Sequence, residues 1–177
     1  MTRRLFVFEE PDRFVAGTLG EPGDRTFFLQ ARKGGAVVSV VLEKAQVAVL
    51  AERLNDLLDL VGEDAAQPLP ERDDRALDEP LVDVFRVGPM ALAWDSASSR
   101  VVFEAQPQND DGEYRELPDS DADGPDVMRV IIGPGMAREF VRRAESLVAA
   151  GRPTCPFCGE PLDPGGHFCT RTNAHLN

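Results

Sequence analysis

The first 154 residues of this 177-residue chain contain no cysteine and no histidine. A disulfide, a thiolate nucleophile and an imidazole base are therefore all excluded from that stretch. Serine hydrolase and cysteine protease chemistry, which pair a nucleophile with histidine, have nothing to work with there. Long apolar runs are missing too: no stretch approaches the about 18 residues that a membrane-crossing helix needs. The opening Leu5-Phe6-Val7-Phe8 run is also shorter than the apolar core of about 7–15 residues in a secretion signal. Positive charge is scarce, with 19 Lys and Arg against 31 Asp and Glu and a net charge of −12. Such a chain is repelled by nucleic-acid phosphates and anionic membranes unless a basic patch is segregated. Residues 134–177 carry +1 and residues 1–133 carry −13, so no strongly basic segment stands out. A cytoplasmic protein that touches no membrane is expected.

All three cysteines and both histidines fall in the last 23 residues: Cys155, Cys158, His167, Cys169 and His175. Thiolate and imidazole are the donors Zn²⁺ prefers, and a structural site takes four of them in a tetrahedron. An odd, clustered cysteine count suits reduced, metal-ligating thiols better than a disulfide framework. Cys155-Pro156-Phe157-Cys158-Gly159 has the form of a zinc knuckle. Two sulfurs three residues apart reach one ion if the chain turns tightly between them. Cys155, Cys158 and Cys169 with one histidine give a closed Cys₃His site, structural rather than catalytic because no position stays open for water. The spacing leaves His167 and His175 as alternatives for the fourth ligand. A redox role for Cys-x-x-Cys requires a helix start in a βαβ setting, and that setting is missing.

Before the tail, the pattern alternates between strands and helices. Leu5–Phe8, Phe14–Thr18, Thr26–Arg32 and Ala36–Leu42 read as strands divided by Gly and Pro, the last two forming a hairpin across Gly34-Gly35. Val47, Leu50, Leu54, Leu57, Leu58 and Val61 then recur at helical spacing and end at Gly62. Leu81–Val87, Met90–Asp95, Arg100–Gln106 and Val127–Ile132 repeat the strand pattern. Pro134 opens a second helix with Ala137, Phe140, Val141, Ala144, Leu147 and Val148 on one face. The expectation is an α+β body of two consecutive four-strands-plus-helix units, residues 1–62 and 81–152, a pattern compatible with internal duplication. Each unit is expected to form its own antiparallel sheet. Residues 63–80 read as a flexible acidic linker, residues 107–126 as an exposed acidic loop, and residues 153–177 as the zinc-binding tail. Tandem units of this kind resemble the Whirly and PUR-type architectures, a likeness of build only.

Other motifs are weaker. Asp119-Ser120-Asp121-Ala122-Asp123-Gly124 matches the first half of a calcium loop, but its twelfth position is Val130 where a glutamate is needed. Gly133-Pro134-Gly135 lacks the register of a phosphate-binding turn, and Pro134 removes a donor where phosphate would want one, so it reads as a helix cap. Ser96, Ser98 and Ser99 have no base nearby in sequence. Trp94 alternates with Leu92 as strand packing.

The tail Cys155-Pro-Phe-Cys158-Gly159-Glu160-Pro161-Leu162-Asp163-Pro164-Gly165-Gly166-His167-Phe168-Cys169 resembles the ending of an actinobacterial family of unknown function, whose members close on CPxCGxPLDPxGHxC. The resemblance extends over the body, through Phe8-Glu9 and Leu42-Glu43-Lys44. In that family an aromatic follows where this chain has His175, so the resemblance implies His167 as the fourth ligand. It implies no activity. Three functional readings result. The first is a non-enzymatic adaptor that binds another protein, with structural Zn²⁺ in its tail. The second is an enzyme or small-molecule binder with a site between the two half-sheets. The third is single-stranded nucleic-acid binding through Arg138, Arg142 and Arg143 of the second helix, which the net charge disfavours.

Overall fold

The structure is a computed structural model that describes residues 2–151, 153–162, 166–169 and 171. Seven strands and two helices form the body: β1 (Leu5–Glu9), β2 (Arg13–Leu19), β3 (Thr26–Lys33), β4 (Ala36–Leu42), α1 (Lys44–Val61), β5 (Asp83–Asp95), β6 (Arg100–Pro107), β7 (Val127–Ile132) and α2 (Pro134–Ala149). The class is α+β, as the periodicity indicates.

The strand count and pairing differ from the expectation of two four-stranded antiparallel sheets. There is one mixed sheet in the order β1-β7-β6-β5-β4-β3-β2. Leu81–Val87 and Met90–Asp95 are not two strands, because β5 runs through Gly88-Pro89 with a register shift between Val87 and Met90. Pro89 has no N–H to give, but at a bulge it bends a strand without ending it. The first part of β5 pairs in parallel with β4, Ser39 against Asp83 and Val41 against Arg86. The second part pairs antiparallel with β6, from Met90 against Ala105 to Asp95 against Arg100. Strand β1 leaves its own half and runs parallel to β7, Phe6 against Met128 and Phe8 against Val130. Each half thus reduces to three antiparallel strands and a helix: β2–β4 with α1, and β5–β7 with α2.

The sheet rolls up. Strands β1 and β2 lie at its opposite edges yet are joined by Glu10-Pro11-Asp12 alone. Four Cα steps from Glu9 to Arg13 reach at most ~15 Å. A flat seven-stranded sheet would hold its edges about 29 Å apart. The inner face closes accordingly: the Phe14 ring of β2 sits 5.6 Å from Phe103 of β6 and stacks at 4.7 Å on Phe140 of α2. Residues of both halves share this one core, with Leu29, Val40, Leu58, Phe103, Met128 and Phe140 fully buried. The α1 start is tied to the β5 bend. Gln46 accepts from the Glu43 N–H at 2.8 Å and its amide donates to the Val87 carbonyl at 3.1 Å.

The segment expected as a flexible linker is a packed strap. Arg13 is 4% exposed, and its guanidinium donates to Asp73, to Asp78 and to the Arg75 and Ala76 carbonyls, all within the strap. Gln30, also buried, exchanges hydrogen bonds with the Asp78 backbone. Acidic composition reads as solvated, but here the carboxylates answer buried arginines of the body. Residues 107–126 are mostly exposed and are fastened at both ends. Gln106 and Arg115 exchange two hydrogen bonds, and buried Arg3 donates to the Pro118 and Pro125 carbonyls. Among the described residues, no helix is long and apolar enough to cross a membrane.

Candidate metal centre

Residues 153–162 fold as a short hairpin. Thr154 bridges Pro161, the Cys155 amide donates to the Glu160 carbonyl at 2.7 Å, and Leu162 donates to Pro153 at 2.8 Å. The turn between the two cysteines closes with the Gly159 amide on the Cys155 carbonyl at 2.9 Å. Gly159 has φ +76°, a conformation glycine adopts without a Cβ penalty, so it is the residue that allows this turn. Cys155 is thereby turned inward and buried, while Cys158 is half-exposed.

The second half of the cluster comes from residues 166–169. His167 and Cys169 are brought against the hairpin so that one ligand atom from each of Cys155, Cys158, His167 and Cys169 lies within 4.8 Å of every other. The Cys155 and Cys169 sulfurs are 3.9 Å apart, and the Cys158 sulfur is 3.2 Å from His167 Nε2. Sulfurs at ~2.3 Å from a tetrahedral ion stand about 3.8 Å from each other, so these spacings fit a single ion at the centre. The cluster could hold a metal. His175 lies outside the described residues.

A hydrogen bond from the Glu160 amide favours the Cys158 thiolate. Burial and the neighbouring Cys155 and Cys169 sulfurs outweigh it and push the Cys158 pKa above the ordinary thiol value. Crowded sulfurs resist ionising together, and a bound dication reverses that resistance by deprotonating its ligands outright.

Two aromatic side chains project from the cluster. Phe157, between the first two cysteines, is 59% exposed, and Phe168, between His167 and Cys169, is 79% exposed. Arg171 donates to the Phe157 carbonyl at 3.1 Å and braces that turn. The pattern Cys-x-x-Cys contained a signal for this, because a ten-residue hairpin has no interior for a phenylalanine placed between its ligands.

A second constellation was not singled out by motif. Arg13, Asp73, Glu139, Arg142 and Arg143 form a network between strap, β2 and α2. Burial alone would raise the Asp73 carboxyl pKa, but hydrogen bonds from Arg13 and Arg75 hold it far below the usual carboxylate range. Arg142 and the Asp73 amide likewise lower Glu139. Burial lowers the Arg143 pKa, and its guanidinium is spent on the Ala16 and Asp73 carbonyls at 2.6 Å each. The α2 arginines therefore do not present an open basic face: Arg143 is buried, Arg142 is held by Glu139 and Asp74, and Arg138 faces Asp59 at 3.6 Å. Every carboxylate with a displaced pKa among the described residues is displaced downward, away from the range of a general acid or base at neutral pH.

A family model described as a protein of unknown function (DUF3090) matches residues 6–169, and the chain belongs to that family. The match spans body and tail and ends on Cys169. No curated protein and no solved structure matches the chain.

Proposed function

We propose that this member of the family is a non-catalytic adaptor whose tail, held by a structural Zn²⁺, docks on another protein. The thiolate-rich Cys155, Cys158, His167, Cys169 set suits zinc among divalent ions. With four protein ligands it leaves no open position for substrate or water. The observation that carries the interaction reading is the pair Phe157 and Phe168. Both are solvent-exposed aromatics, and both sit beside ligands that fix their backbone. Exposed aromatics on a rigid frame make binding anchors at low entropic cost. Reduced, metal-ligating thiols at Cys155, Cys158 and Cys169 suit a reducing compartment.

A pull-down from native lysate tests this with the intact chain, a Phe157→Ser/Phe168→Ser variant and residues 1–152 as baits. A protein retained by the intact chain and lost from the other two supports the tail as the contact. A protein retained equally by all three moves the contact to the body and overturns the reading. Co-purifying nucleic acid that is sensitive to salt would favour the phosphate-binding alternative instead.

A further inference from the structure

The second part of β5 has one free edge. Strand β6 pairs with one side of Met90–Asp95, while β4 departs after Val41 opposite Arg86. Among the described residues, no strand pairs with the other side. The remaining edges of the sheet are managed differently: β1 is only five residues long, and the strap and α2 lie over β2. Beyond the bulge at Gly88-Pro89, the free edge reads Met90-Ala91-Leu92-Ala93-Trp94-Asp95, with no lysine or proline in these six residues to blunt it.

Beside this edge runs an apolar groove of about 540 Å³. From α1 it takes Val49, Leu50, Arg53, Leu57 and Leu60, with Asp56 at the rim, and from β5 it takes Met90, Ala91 and Leu92 in succession. Consecutive strand residues point to opposite faces, so three in a row can line one groove only where the edge itself borders it. Leu60 is 83% exposed and Val49 49%. An edge strand beside an apolar helix stripe is the arrangement that accepts an added strand.

We propose that this groove is occupied by a second copy of the chain, β5 pairing with β5 and α1 with α1 about a two-fold axis. The charge pattern selects this occupant. The groove holds one cation and one anion, Arg53 and Asp56, and neither has an ion-pair partner within the chain among the described residues. A two-fold contact must be self-complementary, and a patch carrying one charge of each sign satisfies that: Arg53 of each copy faces Asp56 of the other. The patch is neutral on a chain of net charge −12, so it adds no repulsion of its own when two copies meet there.

Light scattering on the intact, metal-loaded chain across a concentration series tests the proposal. A mass twice the 19.3 kDa of the chain is expected, falling toward one chain on dilution. Leu60→Lys, at a residue too exposed to matter for folding, should weaken the dimer about tenfold or more. Arg53→Glu should weaken it as well, and Arg53→Glu combined with Asp56→Arg should restore it. A monomer at every concentration overturns the proposal, as does a dimer indifferent to Leu60→Lys and Arg53→Glu. A dimer lost on metal chelation would place the contact on the tail and overturn it equally, whereas failure of the Phe157/Phe168 pull-down leaves the β5 dimer standing.

Discussion

The most heavily used side chain in the body is Asp73, which receives Arg13, Arg75 and Arg143 together. Removing one partner of a buried, hydrogen-bonded ion network costs more than the network gained, because the other charge stays behind without compensation. Asp73→Ala should therefore lower the unfolding free energy by about 2–4 kcal/mol in urea titrations. Asp74→Ala, at an exposed carboxylate, should change little. The pH dependence has the same origin. Asp73 and Glu139 have folded-state pKa values below their unfolded ones of ~3.9 and ~4.3. Their stabilisation is complete above those unfolded values and drains away as pH falls below about 4. Urea midpoints should drop steeply there for the intact chain and less steeply for Asp73→Ala. In the tail, His167→Ala should lose the metal while His175→Ala keeps it, as read by metal analysis of the purified variants. Retention by His167→Ala would move the fourth ligand away from the clustered histidine.

At the scale of elements, the β5 bend is the joint that turns two expected sheets into one. A Cβ placed on Gly88 would stand 2.7 Å from the Gln108 Cα and 2.8 Å from the Pro107 carbonyl oxygen, both backbone atoms that cannot step aside. Gly88→Ala should destabilise by about 1–3 kcal/mol in thermal or urea unfolding. A neutral result would mean that the bend does not hold β6 so closely. The period-2 and period-3.6 patterns made the two helices and β2, β3, β4, β6 and β7 legible within a residue or two. They carried no information on partners. Nothing in Leu5–Phe8 says that β1 runs beside Val127–Ile132 rather than beside its neighbour, because alternation reports burial and not pairing. Gly88-Pro89 falls between the expected strands Leu81–Val87 and Met90–Asp95, and in the structure it is a bulge within one strand. The strap was misjudged for a related reason. Composition counted its acids as solvated, while their partners, Arg13 and Arg143, are buried in elements far along the chain. The clustering of Cys155, Cys158, His167 and Cys169 was legible because such a group is written in residue type and short spacing, and the hairpin at Cys155–Gly159 needs only local turns.

At the scale of the whole molecule, the body closes its core with residues from both halves, and the Cys/His cluster contributes none of them. The tail has a bridge at Thr154 and Pro161, a few backbone hydrogen bonds and four converging Cys and His side chains. So small a segment lacks the apolar interior to hold itself, and metal binding would be its folding free energy. Chelation should thus leave the unfolding transition of the body in place while residues 153–169 become open to proteases, a split that limited proteolysis with mass mapping reads directly. Simultaneous loss of both would tie body and tail into one unit. The claim on which the account rests is that Cys155, Cys158, His167 and Cys169 hold zinc. Native mass spectrometry of the intact chain, purified under reducing conditions without added metal, decides it. One Zn²⁺ per chain, absent from the Cys158→Ser variant, is the predicted result. A metal-free chain, or one carrying a disulfide between Cys155 and Cys169, would contradict it.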